Sequence, residues 1–247
     1  MKTREAGFDL SCEWGNAGVL ALASVSDVVV VVDVLSFSTC VDIAVSRGAS
    51  VLPYPSQEPG AEEFAKKHHA ALAGARGEGQ YSLSPLTFLQ IDPGTRVLLP
   101  SPNGAMISLA SRARTTLTGC LRNAAAVARA AGERGRRIAV TPAGERWPDG
   151  TLRPSLEDWL GAGAILSHLS GRASPEVRAA VAAFREHQSG LEQALLGCQS
   201  GRELEEWGYR EDVLFAAMLD SSAAVPVFDG IAYRDLTREG MSRAPEL

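Results

Sequence analysis

The sequence predicts an α/β fold in which a predominantly parallel central sheet is flanked by helices. Residues 28–32 are five consecutive valines, and a run without polar alternation suits a strand that is covered on both faces, as in a parallel sheet between layers of helices. Other short apolar segments alternate along the chain with segments of helical spacing, which is typical of successive β-α units. A helical segment and a short β-hairpin near the C-terminus complete the prediction.

Length and charge limit the kinds of partner that we expect. A chain of 247 residues can form one large α/β domain, and we predict a single domain over residues 1–247 with a small helical lobe at 174–219. The net charge is −5 and the 24 Lys and Arg residues are scattered, which argues against a nucleic-acid partner. No segment is apolar enough for a membrane span or a signal peptide, so we expect a cytoplasmic protein without a membrane partner.

The first half of the chain is predicted to begin as strand, helix, strand, helix. The valine strand precedes a helical segment that Gly48 ends, as a C-terminal glycine does. Residues 74–95 are rich in Gly, Ser and Pro, and a loop of this length in a compact domain is usually functional or disordered. The predicted strands are 8–14, 28–32, 51–54 and 96–100, and the predicted helices are 39–47, 58–73 and 105–113.

The second half continues the alternation and then becomes helical. Two acids shortly after Pro154 indicate a helix N-terminus, where negative charge interacts favourably with the helix dipole. Asp229 and Gly230 between two apolar segments predict a hairpin turn. The predicted strands are 115–119, 137–141, 225–228 and 231–233, and the predicted helices are 124–131, one starting at 154, 175–186, 191–198, 203–207 and 210–219.

Asp33 follows the valine strand directly, and we expect the functional site to form around it. Open α/β sheets bind ligands at the carboxyl ends of their strands, so this carboxylate is a candidate metal ligand or nucleophile. The alternative is a helix cap, a role that Ser36, Ser38 or Thr39 can also fill. Phosphatases of the haloacid dehalogenase type have a second aspartate two residues after the nucleophile, and Leu35 at that position argues against such an enzyme.

Two further features suit an anionic ligand. Arg76 lies near glycines in the long loop, where the backbone can approach a ligand closely and a guanidinium matches phosphate well; a solvated loop arginine is the alternative. The turn Ser-Pro-Asn-Gly at 101–104 precedes a predicted helix, and the N–H groups of Gly104 and Ala105 are expected to be free for phosphate. The same tetrapeptide is also a common turn.

Several predicted strands end in polar side chains, which we expect to meet at one edge of the sheet. These side chains belong to Asp33, Ser101, Asn103, Arg122, Asn123 and Glu145. Acids and amides beside an arginine indicate a divalent cation and a phosphorylated ligand, since Mg²⁺ prefers carboxylate oxygen and is commonly shared with phosphate. The absence of a plausible His–Ser or His–Cys pair argues against an acyl-transfer hydrolase.

Glu157 and Asp158 are two more candidate ligands for Mg²⁺. Read alone, they are acids at the start of a helix. Neighbours in a helix point about 100° apart, so both cannot face one ion equally. We expect Glu157 to be the ligand and Asp158 to be a supporting or capping group.

Six segments occur in the order found in the 2-phosphosulfolactate phosphatase family, also called ComB, and the chain resembles that family from about residue 28 to 228. The segments are DVLSFST, LAGARG, SPNGA, GCLRNA, PAGERWPDGTLRPSLEDWLGAGAI and SGRELEEWGYREDVLFAA. The resemblance implies the family's α/β fold and a Mg²⁺-dependent phosphatase that converts 2-phosphosulfolactate, a small anionic phosphoester, to sulfolactate, on one route to coenzyme M. It leaves a homodimer open.

The resemblance and the strand-end argument together assign residues to three roles. The expected catalytic residues are Asp33, Arg76 and Asn103. The expected substrate-binding residues are Arg76, Ser101, Asn103, Gly104, Asn123 and Arg153, and the expected metal ligands are Asp33, Glu145, Glu157 and Asp158.

This chain departs from the family's pattern at two places. Ser36 stands where the family typically has an arginine, so an expected cation beside Asp33 is missing. Near Arg76, Ala75 precedes the arginine and Glu78 replaces a second glycine. The alternative to the phosphatase is therefore a non-catalytic or altered-specificity anion-binding member of the same fold.

Overall fold

A computed structural model describes residues 7–56 and 58–239 and confirms the predicted α/β architecture. The strands are β1 Leu10–Cys12, β2 Val28–Val32, β3 Ser50–Pro55, β4 Ala71–Leu72, β5 Arg96–Ser101, β6 Thr115–Gly119, β7 Ile138–Pro142, β8 Glu145–Arg146, β9 Leu152–Arg153, β10 Pro226–Phe228 and β11 Tyr233–Asp235. The helices are α1 Gly15–Leu22, α2 Phe37–Ser46, α3 Ala61–Lys67, α4 Gly104–Ala110, α5 Ala124–Arg134, α6 Leu156–Ser167, α7 Pro175–His187, α8 Leu191–Gly197, α9 Gln199–Glu206, α10 Arg210–Ala216 and α11 Leu236–Glu239.

Nine strands form the main sheet in the order β1-β7-β2-β6-β10-β11-β3-β5-β4. The pairs outside the C-terminal hairpin are parallel, whereas β10 and β11 run antiparallel to each other and to the strands beside them. The predicted hairpin therefore exists, but it lies inside the sheet, between β6 and β3, and links two parallel halves. The strands β8 and β9 form a separate antiparallel pair.

The valine strand β2 is fully buried, as its composition predicts. Each of its five valines is 0% exposed, and it pairs with β6 on one side and β7 on the other. Val32 is level with Gly119 and Pro142 in this register. The loops that follow β2, β6 and β7 consequently start at the same edge of the sheet.

Two predicted segments have different structures. The expected helix at 58–73 is limited to α3, because Gly60 starts it in a left-handed conformation, His69 also has a positive φ, and Ala71–Leu72 pairs with β5. The first strand, predicted at 8–14, is limited to Leu10–Cys12. Tertiary pairing decides these short segments more than local propensity does.

The late part of the chain is helical, as predicted, with α7 to α10 in succession. The helices α6 and α7 pack so closely that a Cβ on Gly163 would clash with the carbonyl oxygen of Ala180. Within residues 7–56 and 58–239, no helix combines the length and apolarity needed to cross a membrane. The single domain, the cytoplasmic location, the homodimer and the absence of a nucleic-acid partner remain predictions.

Candidate active site

A cavity of about 580 Å³ lies where the strands β2, β5 and β7 end. One wall comes from the loops after these strands and includes Asp33, Ser101, Asn103 and Glu145. The opposite wall comes from α9 in the late helical segment, and Trp147 and Trp207, both more than half exposed, contribute to the lining. The predicted meeting of polar side chains at one edge of the sheet is therefore observed for these four residues.

Asp33 is held in a fixed position by backbone N–H groups. Its Oδ1 accepts from Phe37 N at 3.1 Å and its Oδ2 accepts from Gly104 N at 2.9 Å. The first bond is local to the turn before α2, and the second reaches the turn after β5, in the other half of the sheet. Burial raises the pKa of Asp33 to about 6, and the charge of Glu157 adds to the rise, while the two N–H bonds act in the opposite direction.

Glu145 and Asn103 form a hydrogen-bonded pair on the same wall. Asn103 Nδ2 donates to Glu145 Oε2 at 2.8 Å. Burial, followed by the charge of Asp33, raises the pKa of Glu145 to about 7. The cavity thus contains two carboxyl groups with raised pKa values, which is typical of functional sites.

Arg76 lines the cavity but is not a freely moving loop residue. Its Nη1 donates to Asp212 Oδ2 at 2.8 Å and its Nη2 donates to Ser36 Oγ at 2.8 Å, with the guanidinium 5.3 Å from the centre of the Tyr209 ring. Asp212 also accepts from Ser84 Oγ. Ser36 therefore binds Arg76, and the alternative of a solvated loop arginine does not describe this residue.

Glu157 and Asp158 are buried away from the cavity lining. Asp158 accepts from Val34 N at 2.7 Å and from Gly144 N at 2.8 Å, so it joins the loop after Asp33 to the loop before Glu145. Burial, together with the charges of Asp33 and Glu157, raises the pKa of Asp158 well above its usual value. Glu157 accepts from the thiol of Cys198 at 3.2 Å. Neither acid lines the cavity, and Asp158 holds the two loops in place through their backbone N–H groups.

Asn123 and Arg122 do not line the cavity, contrary to the expectation from their strand end. Asn123 is 0% exposed, accepts from Cys120 N at 2.9 Å and donates to Ala224 O at 3.2 Å. Arg122 is paired with the buried Asp42 at 3.1 Å. The loop after β6 turns towards the segment that leads into the C-terminal hairpin, and Asn123 fixes this contact through Ala224.

The turn at 101–104 also differs in one respect from its prediction. The N–H of Gly104 was expected to be free for phosphate, but it donates to Asp33. A Cβ at this position would lie 2.7 Å from Asp33 Oδ2 and 2.5 Å from Phe37 Cδ1, so only glycine allows this close approach. Gly104 acts in this structure through Asp33, and a role for it in phosphate binding stays a prediction.

Two comparisons with known proteins bear on this geometry. A model of the 2-phosphosulpholactate phosphatase family matches residues 19–230. The chain belongs to this family. The matched range includes each residue of the cavity described above, so the resemblance seen in the sequence is confirmed, and the enzyme class that the family indicates is a phosphoric monoester hydrolase.

Individual relatives agree with the family assignment. The chain is 30% identical to the 2-phosphosulfolactate phosphatase of Methanothermobacter thermautotrophicus, over 82% of this chain and 87% of the relative. It is 32% identical to a protein named probable 2-phosphosulfolactate phosphatase from Thermus thermophilus, over 83% and 89% of the two chains. A relative from Methanocaldococcus jannaschii, also named 2-phosphosulfolactate phosphatase, is 25% identical over 82% and 89%.

The cavity offers Mg²⁺ only a partial set of protein ligands. Among residues 7–56 and 58–239, no group of three or more His, Cys, Asp or Glu side chains is arranged to hold a metal ion. Asp33 and Glu145 nevertheless line the cavity together, and Mg²⁺ is often held by one or two carboxylates together with substrate phosphate and water. Asp33 and Glu145 are therefore the residues that would hold the ion, and Glu157 and Asp158 are not placed to do so.

Sequence reasoning assigned no role to the residues of the late helical wall. Gln199, Ser200, Glu203 and Leu204 line the cavity from α9, together with Trp207 directly after this helix. Their segment was recognised as one of the six family motifs, but its helical pattern gave no indication of which face would meet the strand ends. A cluster of polar residues next to an exposed Trp on a short helix was the available signal.

Proposed function

We propose that this member of the 2-phosphosulfolactate phosphatase family is a Mg²⁺-dependent phosphatase that hydrolyses 2-phosphosulfolactate, or a related small acidic phosphoester, to the alcohol and phosphate. The observation that carries the proposal is the meeting of Asp33, Asn103 and Glu145 with Arg76 and Arg153 in one cavity. Phosphoryl transfer depends mainly on positioning and charge neutralisation, and this set supplies both. The names of the relatives support the substrate. The product, sulfolactate, would then lie on a route to coenzyme M.

Asp33 has the central role in this proposal. Its two N–H bonds hold the carboxylate ready at the cavity wall, so little reorganisation is needed when the phosphoester binds. Such a carboxylate can attack phosphorus or hold the metal ion, and both roles require that it faces the cavity. Bound Mg²⁺ would supply positive charge to the phosphate oxygens.

Ser101, Asn103 and Arg76 are the residues that we propose to orient the phosphate. Ser101 and Asn103 lie on the same turn and line the cavity beside Asp33. The guanidinium of Arg76 is held by Asp212 and Ser36, which fixes its direction and partly neutralises its charge. The site is thus prepared for a phosphate without large movement of these side chains.

A second candidate function is anion binding without catalysis. The observation that favours it is the pairing of Arg76 with Asp212, together with Ser36 where the family has an arginine, because both reduce the positive charge available to a phosphoester. An assay of phosphate release separates the two functions. It should compare 2-phosphosulfolactate, glycerol 2-phosphate and 4-nitrophenyl phosphate, with Mg²⁺ and with EDTA; Mg²⁺-dependent release supports the phosphatase, and binding without release from any compound supports the alternative.

A further inference from the structure

Arg153, at the end of β9, presents a nearly buried guanidinium to the cavity. Its Nη1 and Nη2 donate to the two carboxylate oxygens of Glu203 at 3.2 and 3.1 Å. The side chain of Arg153 is 10% exposed, whereas that of Glu203 is 33% exposed. Arg153 is therefore the fixed member of the pair, and Glu203 is the member that can move into solvent.

The hydrogen bonds to Glu203 leave one donor of the Arg153 side chain without a partner in the described residues. Its Nε is buried and has no hydrogen-bond partner within the described residues, and a buried donor without a partner is costly. The guanidinium lies 5.7 Å from the centre of the Trp147 ring, which limits its movement further. A fixed cation whose carboxylate partner can move into solvent is suited to bind a carboxylate from a ligand in its place.

Ser200 adds a polar group on the same wall. It lies three residues before Glu203 in α9 and so on the same face of that helix. It is 5% exposed and lines the cavity, and its hydroxyl makes no hydrogen bond to another side chain or backbone group in the part of the chain that the structure describes.

We propose that Arg153 binds the carboxylate of the substrate. In the free protein Glu203 occupies this position, and it leaves when substrate binds. Ser200 donates a hydrogen bond to the bound acid. The ligand's identity rests on the proposed function; its class follows from the two parallel bonds to Glu203, which show that the fork of Arg153 binds a carboxylate at this position. The phosphate stays at the Asp33 wall. Glu203 thereby favours substrates that carry a carboxylate to take the place of its own.

The test is calorimetric binding of sulfolactate and of inorganic phosphate to the intact protein. Glu203→Gln keeps the size of the side chain but weakens the competing bond to Arg153, so sulfolactate should bind about two- to fivefold more tightly, the range expected from loss of a partly exposed charge pair. Glu206→Gln is the matched control, because it removes the same charge from the same helix at a residue that does not line the cavity. The affinity for phosphate should change by less than that for sulfolactate.

Two further variants test the other residues. Arg153→Lys keeps the charge and loses the fork, so sulfolactate binding should weaken by about tenfold. Ser200→Ala should weaken it by about threefold or more, whereas Ser167→Ala, a serine at the end of α6 bonded to Ala164 O, should not.

The proposal is overturned if Glu203→Gln leaves sulfolactate binding unchanged or weakens it, if Glu206→Gln strengthens it equally, or if phosphate binding strengthens as much as sulfolactate binding. Failure of the wild-type protein to hydrolyse any phosphoester would remove the proposed function, and the calorimetric comparison would still decide the carboxylate site.

Discussion

Oδ2 of Asp33 lies 2.9 Å from the backbone nitrogen of Gly104, and this hydrogen bond joins the end of β2 to the turn after β5. The two strands belong to different halves of the sheet, which the C-terminal hairpin separates. The bond therefore brings the acid of one half next to Ser101 and Asn103 of the other. The placement of the cavity residues depends on this contact.

Gly104→Ala should reduce activity strongly. The added Cβ would lie 2.7 Å from Asp33 Oδ2 and 2.5 Å from the Phe37 ring, so the carboxylate has to move. A displacement of about 1 Å at a catalytic group can reduce the rate roughly 100-fold, and we expect kcat/KM to fall by about that factor. Gly132→Ala in α5 is the control, since its Cβ meets nothing nearer than 3.8 Å. Equal kcat/KM in both variants would show that the Asp33 position is unimportant.

Glu145→Gln should raise the melting temperature at pH 8 but not at pH 4.5. Burial and Asp33 raise the pKa of Glu145 to about 7 from its usual 4.5, so the folded state holds a proton that the unfolded state releases as the pH rises between these values. The free energy of unfolding of the wild-type protein consequently falls as the pH rises from about 4.5 to 7, and above pH 7 Glu145 causes no further change. Gln can still accept from Asn103 and has no such loss.

The measurement is thermal unfolding of both proteins across this pH range in the presence of EDTA. The difference in melting temperature should grow with pH and level off above pH 7. A difference that is independent of pH would show that Glu145 ionises as an ordinary carboxyl group.

Asp158→Asn should destabilise the protein by about 1–3 kcal/mol, the cost of leaving a buried N–H without an acceptor. Asp158 accepts from Val34 N and Gly144 N, and an amide offers one acceptor oxygen in place of two. Glu157→Gln is the comparison, because one side-chain oxygen remains to accept from Cys198. Urea unfolding should show the larger loss in Asp158→Asn, and an equal or larger loss in Glu157→Gln would contradict the bracing role of Asp158.

Arg76→Lys should affect both activity and stability. Lysine cannot reach Asp212 and Ser36 with two donors in the fixed geometry of a guanidinium, so kcat/KM should fall by about one to two powers of ten. The free energy of unfolding should fall by about 1 kcal/mol. Arg114→Lys, at an exposed position, is the control. Loss of activity without loss of stability would show that the pairing with Asp212 does not support the fold.

The sequence predicts much of the sheet because its signals are local. Five valines require a strand that is covered on both faces, and the acid that follows them has to lie at the end of that strand. The position of the hairpin inside the sheet is not a local property, since it depends on long-range pairing with β6 and β3. For the same reason, Asn123 was expected at the cavity and in fact fixes the loop near the hairpin.

Side-chain partners were the other property that the sequence did not reveal. Arg76 was recognised as a cation near a phosphate site, but its partner Asp212 is 136 residues away. Glu157 and Asp158 were recognised as unusual acids at a helix start, yet only the fold shows that Asp158 joins two loops. Chemical type and position at a strand end can be read from the sequence, and the direction of a side chain depends on what packs against it.

The central claim is a metal-dependent phosphatase reaction at Asp33, and the most direct test is release of phosphate from 2-phosphosulfolactate by the wild-type protein and by Asp33→Asn, each with Mg²⁺ and with EDTA. The wild-type protein should be active with Mg²⁺, inactive with EDTA and active again when Mg²⁺ is restored. Asp33→Asn should lose about 100- to 1000-fold in kcat, the range seen when a preorganised charge-stabilising group is removed, while it remains folded. Full turnover by Asp33→Asn with Mg²⁺ would contradict the account.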